Sequence, residues 1–351
     1  MSEVASRARG ARSGVVIRLV GLLVSIAALG LVIRSVDLGA CATVISHANP
    51  IPLAACMVVI ATQVGLRSLR WRLLLPAPRH GGRIRLRRII PVLLVGYLGN
   101  AVLPARLGEP IRAYLVARRE DLDAAEAFGS VVLERVVDTA TLALLAFIAA
   151  VAVNAPGWIV QATGVAAVIG CAVTGALVAV GPAPLVRLAR RALAPGPFAA
   201  RAEPIMVRLE VFARGIDRPS RSSAIVVAAV VSALCWLGDM ITFWLVARSI
   251  GAPVDPAAAL LIAAVTVLGT ALPSAPGYIG TFELAAATTA QALGVSAAPA
   301  LALAVLAHAL AVLPVAGAGA ISMIAMDARL GRLATDAAGA EGVTGLTSTE
   351  P

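Results

Sequence analysis

The sequence predicts an all-α integral membrane protein of about six full transmembrane helices plus two re-entrant helical hairpins, arranged as an inverted repeat. Three observations predict it. The 351 residues are 60% hydrophobic and only 14% charged, with a mean hydropathy of +0.92. That is more apolar surface than a soluble domain of this length needs. Eight apolar segments recur along the chain, at 15–33, 50–66, 89–104, 128–153, 158–180, 223–247, 257–272 and 299–325, which is the pattern of a polytopic chain. Two of these segments are short, and both run into similar stretches rich in glycine and proline.

Arginine sets the orientation. All basic residues are arginine, and the net charge is +10. The absence of lysine excludes a P-loop. The arginines cluster between apolar runs, which marks cytoplasmic loops rather than a nucleic-acid surface. The first segment, 15–33, follows Arg7, Arg9 and Arg12 and has no small-residue cleavage site, so it reads as a retained span. Segment 50–66 leads to a stretch, 67–90, with Arg67, Arg70 and six more arginines. A second basic stretch, 183–221, contains "LVRLARRAL" at 185–193, an amphipathic helix suited to the inner leaflet. Both stretches and both termini are expected in the cytoplasm. Trp71 and Trp158 are expected at the interfaces.

Segment 89–104 leaves the cytoplasmic side but covers only about 24 Å as helix, against a hydrocarbon core of roughly 30 Å. It runs into "GYLGNAVLPARLGEP", Gly96 to Pro110, and Arg118 and Arg119 follow soon after. A half-helix in, a break at 99–108 and a half-helix out through Arg112 keep all these arginines on one side. Segment 257–272 is equally short and ends in "LGTALPSAPGYIGTFE", Leu268 to Glu283, followed by a ninth helical patch at 281–293. Both breaks read Leu-Gly-polar-Ala, Leu-Pro, a glycine turn and a glutamate. Paired broken helices in oppositely oriented halves, 15–155 and 156–326, point to a binding site near the midplane. Residues 1–14 read as a basic cytoplasmic N-terminus and 327–351 as a disordered cytoplasmic tail.

Polar groups at membrane depth are candidates for function. The first set is Asn100, Arg106, Glu109 and Arg112, with Glu109 three residues from each arginine, a spacing that places all three charges on one helical face. The second is Glu134, Arg135 and Asp138, whose two carboxylates need cations that the hairpin arginines can supply. The third is Pro273, Ser274, Pro276, Gly277, Tyr278, Gly280 and Glu283 of the second break. Structural ion pairs and a helix N-terminal carboxylate are the plain alternatives. Asp239 reads as a lone structural acid and His308 as a packed, hydrogen-bonded histidine. The cysteines at 41, 56, 171 and 235 form no paired motif and read as small hydrophobes. No catalytic motif, metal site or cofactor site is found.

The segments "GYLGNAVLPARLGEPIRAYLVARR", "SVVLERVVDTATLALL" and "PSAPGYIGTFE" resemble the hallmarks of the lysylphosphatidylglycerol synthase transmembrane-region family, from about residue 15 to 326. The resemblance implies a lipid-flipping or lipid-handling fold in a bacterial cytoplasmic membrane. It maps the family's charged positions onto Arg106, Glu109, Arg112, Glu134, Arg135 and Asp138, with Glu283 in the second hairpin. The soluble synthase domain of two-part relatives is not expected here, nor is a fused glycosyltransferase. The expected partners are membrane lipids, anionic or polyprenyl-phosphate-linked, and a lipid-modifying enzyme in trans; nucleic acid is not among them. Arg106 and Arg112 are expected to bind phosphate, with Glu109, Glu134 and Asp138 neutralising them and taking up protons. A membrane subunit that presents lipid to a separate transferase is the alternative, and an integral enzyme a third.

Overall fold

The computed structural model describes residues 23–31, 34, 36–103, 106–193, 199–220, 223–270 and 274–344, and these contain helices and no strand. The first helix, α1, covers residues 23–31; the rest of the expected span 15–33 lies outside the described residues, as does Pro273. The remaining helices are α2 (Leu38–Ser46), α3 (Pro50–Leu74), α4 (Leu86–Val102), α5 (Gly108–Glu120), α6 (Ala124–Ala152), α7 (Gly157–Ala179), α8 (Ala183–Leu193), α9 (Ala199–Ser220), α10 (Ala224–Ser249), α11 (Pro256–Gly269), α12 (Thr281–Ala292) and α13 (Ala297–Thr344). A short 3-10 turn, Pro276–Tyr278, separates α11 from α12. Among the described residues five helices are long and apolar enough to cross a membrane: α3, α6, α7, α10 and the 297–327 part of α13.

Local chemistry sets the starts. Asn49 accepts the Ile51 amide at 2.9 Å ahead of Pro50. Asp123 accepts the Ala125 amide at 2.8 Å, and Asp255 accepts the Ala258 amide at 2.8 Å ahead of Pro256. These are polar N-caps, two of them followed by proline at the first helical position, where no amide hydrogen is missed. One expectation is corrected here. α3 does not end at residue 66 but continues to Leu74, so Arg67, Arg70 and Trp71 lie on the span and not in a loop. Trp71 is fully buried rather than at an interface, whereas Trp158 is exposed at the start of α7.

α4 and α11 are the short apolar helices. At 17 and 14 residues they reach about 25 and 21 Å. α5 returns antiparallel along α4, because Gly96 faces Arg112 and Gly99 faces Gly108. The approach is close: a Cβ on Gly108 would lie 1.8 Å from the Gly96 carbonyl oxygen. Small residues let helix backbones meet in this way inside a bilayer. α3 packs on α10, α4 on α13, and α11 on α6. One apolar core joins α3, α10, α11, α12 and α13. A second surrounds Trp71 with residues of α4, α5 and α6. The outer faces of α7 and α13 expose Val168, Ile169, Leu313 and Ile321, as a lipid-facing surface does.

Gly108→Ala is expected to lower the melting temperature of the detergent-solubilised protein sharply, by a backbone clash that no rotamer relieves. Gly175→Ala, where a Cβ would meet nothing within 4 Å, is expected to stay within about 1 kcal/mol of the parent. Equal effects of the two would show that the α4–α5 contact is not tight.

Candidate functional site

The last two turns of α3, the first two turns of α5 and the middle of α6 bring six charges together, four of them buried (Arg70, Arg112, Glu134, Asp138) and two half-buried (Glu109, Arg135). Arg70 has no exposure; it donates to Glu134 Oε1 at 2.7 Å, to the Ser232 hydroxyl at 2.9 Å, and to Asp138. Arg112, 1% exposed, holds Glu109 through Nε at 2.9 Å and Nη2 at 2.6 Å, and its Nη1 lies 2.9 Å from Glu134 Oε2. Its guanidinium stands 4.5 Å from the ring centre of Trp71. Arg135 donates to Glu134 Oε1 at 2.8 Å, with Asp138 at 3.7 Å and Glu109 at 3.9 Å. Three arginines thus face three carboxylates, and the group is neutral as a whole. Desolvating such charges costs several kcal/mol each, which is offset only when every partner is present.

Beside this lattice lies a cavity of about 250 Å³. Both breaks reach it: Asn100, Arg106 and Glu109 from the first, and Thr270, Gly277 and Tyr278 from the second. α3 adds Gln63 and Arg67, α4 adds Tyr97, α6 adds Arg135, α10 adds Trp236 and Asp239, and α13 adds His308. Arg67 is paired with Asp239 at 2.7 Å and Arg135 belongs to the neutral lattice. Arg106 differs. It donates to the Thr270 carbonyl at 3.1 Å and stands 5.5 Å from the Tyr278 ring centre, but no carboxylate pairs with it among the described residues. Of the three arginines that line the cavity, Arg106 is thus the one without a carboxylate partner among the described residues. Tyr97 and Asn100 also line it; the Tyr97 hydroxyl and Asn100 Oδ1 are themselves buried without a hydrogen-bond partner among the described residues, and Oδ1 lies beside Gly108 at the α4–α5 contact.

Several expectations change on this geometry. Arg106 does not share a helical face with Glu109 and Arg112, because its backbone is left-handed, φ 54°, and α5 begins only at Gly108. It points toward the second break instead. Arg112 and Glu134 do not line the cavity; they form its charged wall, with Asp138. In the second break, Gly277 (φ 70°) and Tyr278 (φ 62°) are both left-handed. Gly280 precedes α12 at φ 89°, and a Cβ there would lie 2.6 Å from the Ser25 carbonyl of α1. Ser274 is half-buried and Pro276 exposed. Glu283 accepts the Gly280 amide at 2.7 Å, and its other oxygen lies 2.5 Å from Nδ1 of His308. Nε2 of His308 is 2.7 Å from the Gly277 carbonyl, and the ring stacks on Phe282 at 4.3 Å.

Sequence reasoning assigned Arg67 and Arg70 to a loop and so missed both. Their three-residue spacing just before Trp71 was the available signal. The pairing of Asp239 with Arg67 and the partners of His308 need the third dimension, since they lie 172 and 25 residues away.

The family described as lysylphosphatidylglycerol synthase TM region matches residues 18–319. A relative named Glycosyltransferase AglD, from Haloferax volcanii, is 31% identical over 349 residues; the match covers 88% of this chain and 54% of that protein. The chain thus spans about half the length of this curated relative. No solved structure matches it significantly.

Arg70→Met is expected to destabilise the solubilised protein by about 3–5 kcal/mol, because it strips a buried partner from Glu134 and Asp138. Arg106→Gln breaks no ion pair and is expected to cost about 1 kcal/mol or less. Thermal unfolding in detergent checks both, and similar losses would contradict the division between neutral wall and unpaired cavity charge.

Proposed function

The chain belongs to the lysylphosphatidylglycerol synthase transmembrane-region family, and on that premise we propose that it moves a lipid with a phosphate-bearing head group across a membrane. The single positive charge left on Arg106 carries this reading. A guanidinium with free donors matches phosphate oxygens. Tyr97 and Asn100 line the same cavity and add polar side chains next to Arg106. A phosphodiester bears one negative charge, which balances Arg106 without disturbing the neutral wall. The head group sits between the two breaks while the acyl or prenyl tails stay in lipid. Arg135 and Glu109 form the floor on one side, and Tyr278 and Gly277 the moving side.

The two breaks are re-entrant hairpins related as an inverted repeat, with six full spans and cytoplasmic termini. Reciprocal packing supports this: α4 lies on α13 and α11 on α6. So does residue placement. Arg135 and His308 each stand eleven positions after the start of α6 and α13. Each faces the glutamate of the preceding half-helix, Glu109 or Glu283. Broken backbone at depth is tolerated where it lines a cavity.

A second reading is a membrane subunit that presents lipid to a transferase. It is favoured by the relative named as a glycosyltransferase, of which this chain spans 54%.

In liposomes of phosphatidylcholine with a trace of fluorescent phosphatidylglycerol, the protein is expected to speed lipid crossing. Arg106→Gln is expected to reduce it at least about tenfold, the loss of one charge-assisted contact, and Arg106→Lys to restore part of it. Lipid binding without accelerated crossing would favour the presenting role. For topology, a single cysteine at the exposed Arg118 position, in a variant without the four native cysteines, is expected to resist an impermeant thiol reagent applied from outside. Ready labelling would overturn the hairpin.

A further inference from the structure

We infer that Glu283 and His308 form a proton-binding site that couples lipid movement to a proton gradient; this rests on the transport reading above. The argument is one of donors and acceptors. Both ring nitrogens of His308 face oxygens: Nδ1 faces the Glu283 carboxylate at 2.5 Å, and Nε2 the Gly277 carbonyl at 2.7 Å. A carbonyl oxygen only accepts. The Glu283 carboxylate also accepts the Gly280 amide at the start of α12, a position that favours its ionised form. Two acceptors require two N–H donors, so the closed arrangement needs both ring nitrogens protonated, and the pair is then neutral. Release of one proton leaves an imidazole with one N–H for two acceptors, and one of the two contacts becomes lone pair against lone pair.

The contact that matters mechanically is the one to Gly277. The turn Pro276–Tyr278 is tied on one side to α13 through this carbonyl. It is tied on the other to Arg106, which stands over the Tyr278 ring. Adjacent residues of one turn therefore report the proton and the anion. Charge links them as well. With the proton bound, Arg106 is the uncompensated charge and the cavity accepts an anion. With the proton lost, the site itself carries the negative charge that offsets Arg106. Proton and lipid anion thus bind together, and each raises the affinity for the other by the same factor. The titratable and charged groups on the surrounding elements are Tyr278 in the turn, Tyr97 on α4, Arg67 on α3 and Asp239 on α10. Among the titratable side chains of the described residues, only Glu283 hydrogen-bonds the ring. Glu109, Glu134 and Asp138 are already held by arginines and do not compete for the role.

Two measurements test the site. In the liposome assay, one proton per lipid predicts about a tenfold transbilayer accumulation of fluorescent phosphatidylglycerol for each imposed pH unit. A trapped pH dye is expected to report proton entry with the lipid. In Glu283→Gln and His308→Gln the ratio of accumulation with and without the gradient is expected to fall to about one, whatever the basal rate. Wild-type crossing that ignores the gradient would overturn the proton site while leaving the transport reading intact. The second measurement is independent of transport. The chain has three histidines, so nitrogen-15 histidine spectra of the full protein can resolve His308 against His308→Gln. Two protonated ring nitrogens at neutral pH, reduced to one in Glu283→Gln, are expected. A singly protonated His308 beside an ionised Glu283 in the wild type overturns the proposal even if no lipid crosses.

Discussion

The structure depends on keeping six charges neutral inside a bilayer. Arg70, Arg112 and Arg135 meet Glu109, Glu134 and Asp138; Arg70, Arg112, Glu134 and Asp138 are buried, and Arg135 and Glu109 are half-buried at the cavity. Removing any one leaves an uncompensated charge in a medium that tolerates none. This requirement fixes the depth of α3 against α6 and the return of α5 beside α4. It also explains the glycines at 96, 99 and 108. Arg112 can reach Glu134 only if α5 lies tight on α4, and a side chain at any of these glycines would hold the helices apart. The lattice is thus a wall, and the wall is what leaves Arg106 as the charge that faces the cavity.

The helical membrane class, the apolar segments and the two breaks were legible in the sequence, because hydropathy and glycine–proline punctuation are local signals. Segments 128–153, 158–180 and 223–247 differ from α6, α7 and α10 by a few residues at each end. The end of α3 was not legible. The arginine-rich run from Arg67 reads as a loop when charge is taken as a sign of water, yet Arg67 and Arg70 are neutralised by residues on other helices. The direction of Arg106 was equally hidden. Counting three residues to Glu109 assumes a helix, and the left-handed backbone at Arg106 turns the side chain to the other break. Of the candidate residues, Asn100, Arg106, Glu109, Arg135, Gly277 and Tyr278 line the cavity. Arg112, Glu134 and Asp138 stand behind it, for reasons of pairing that no spacing reveals.

The two glutamates that follow the breaks have different partners. Glu109 faces Arg135, a permanent cation, whereas Glu283 faces His308, whose charge is exchangeable. The breaks differ as well: the first is locked through Arg112 and Trp71, and the second hangs on a short turn with two consecutive left-handed residues.

The long sequence separations in the charged wall and in the Arg67–Asp239 pair beside it bear on how the protein is made. Arg70 precedes Glu134 by 64 residues, and Arg67 precedes Asp239 by 172. A chain that emerges N-terminus first delivers α3 long before its counter-charges exist. The last two turns of α3 can settle at their final depth only when α6 and then α10 have been inserted. The end of α3 is thus made well before the helices that carry its counter-charges, α6 and α10.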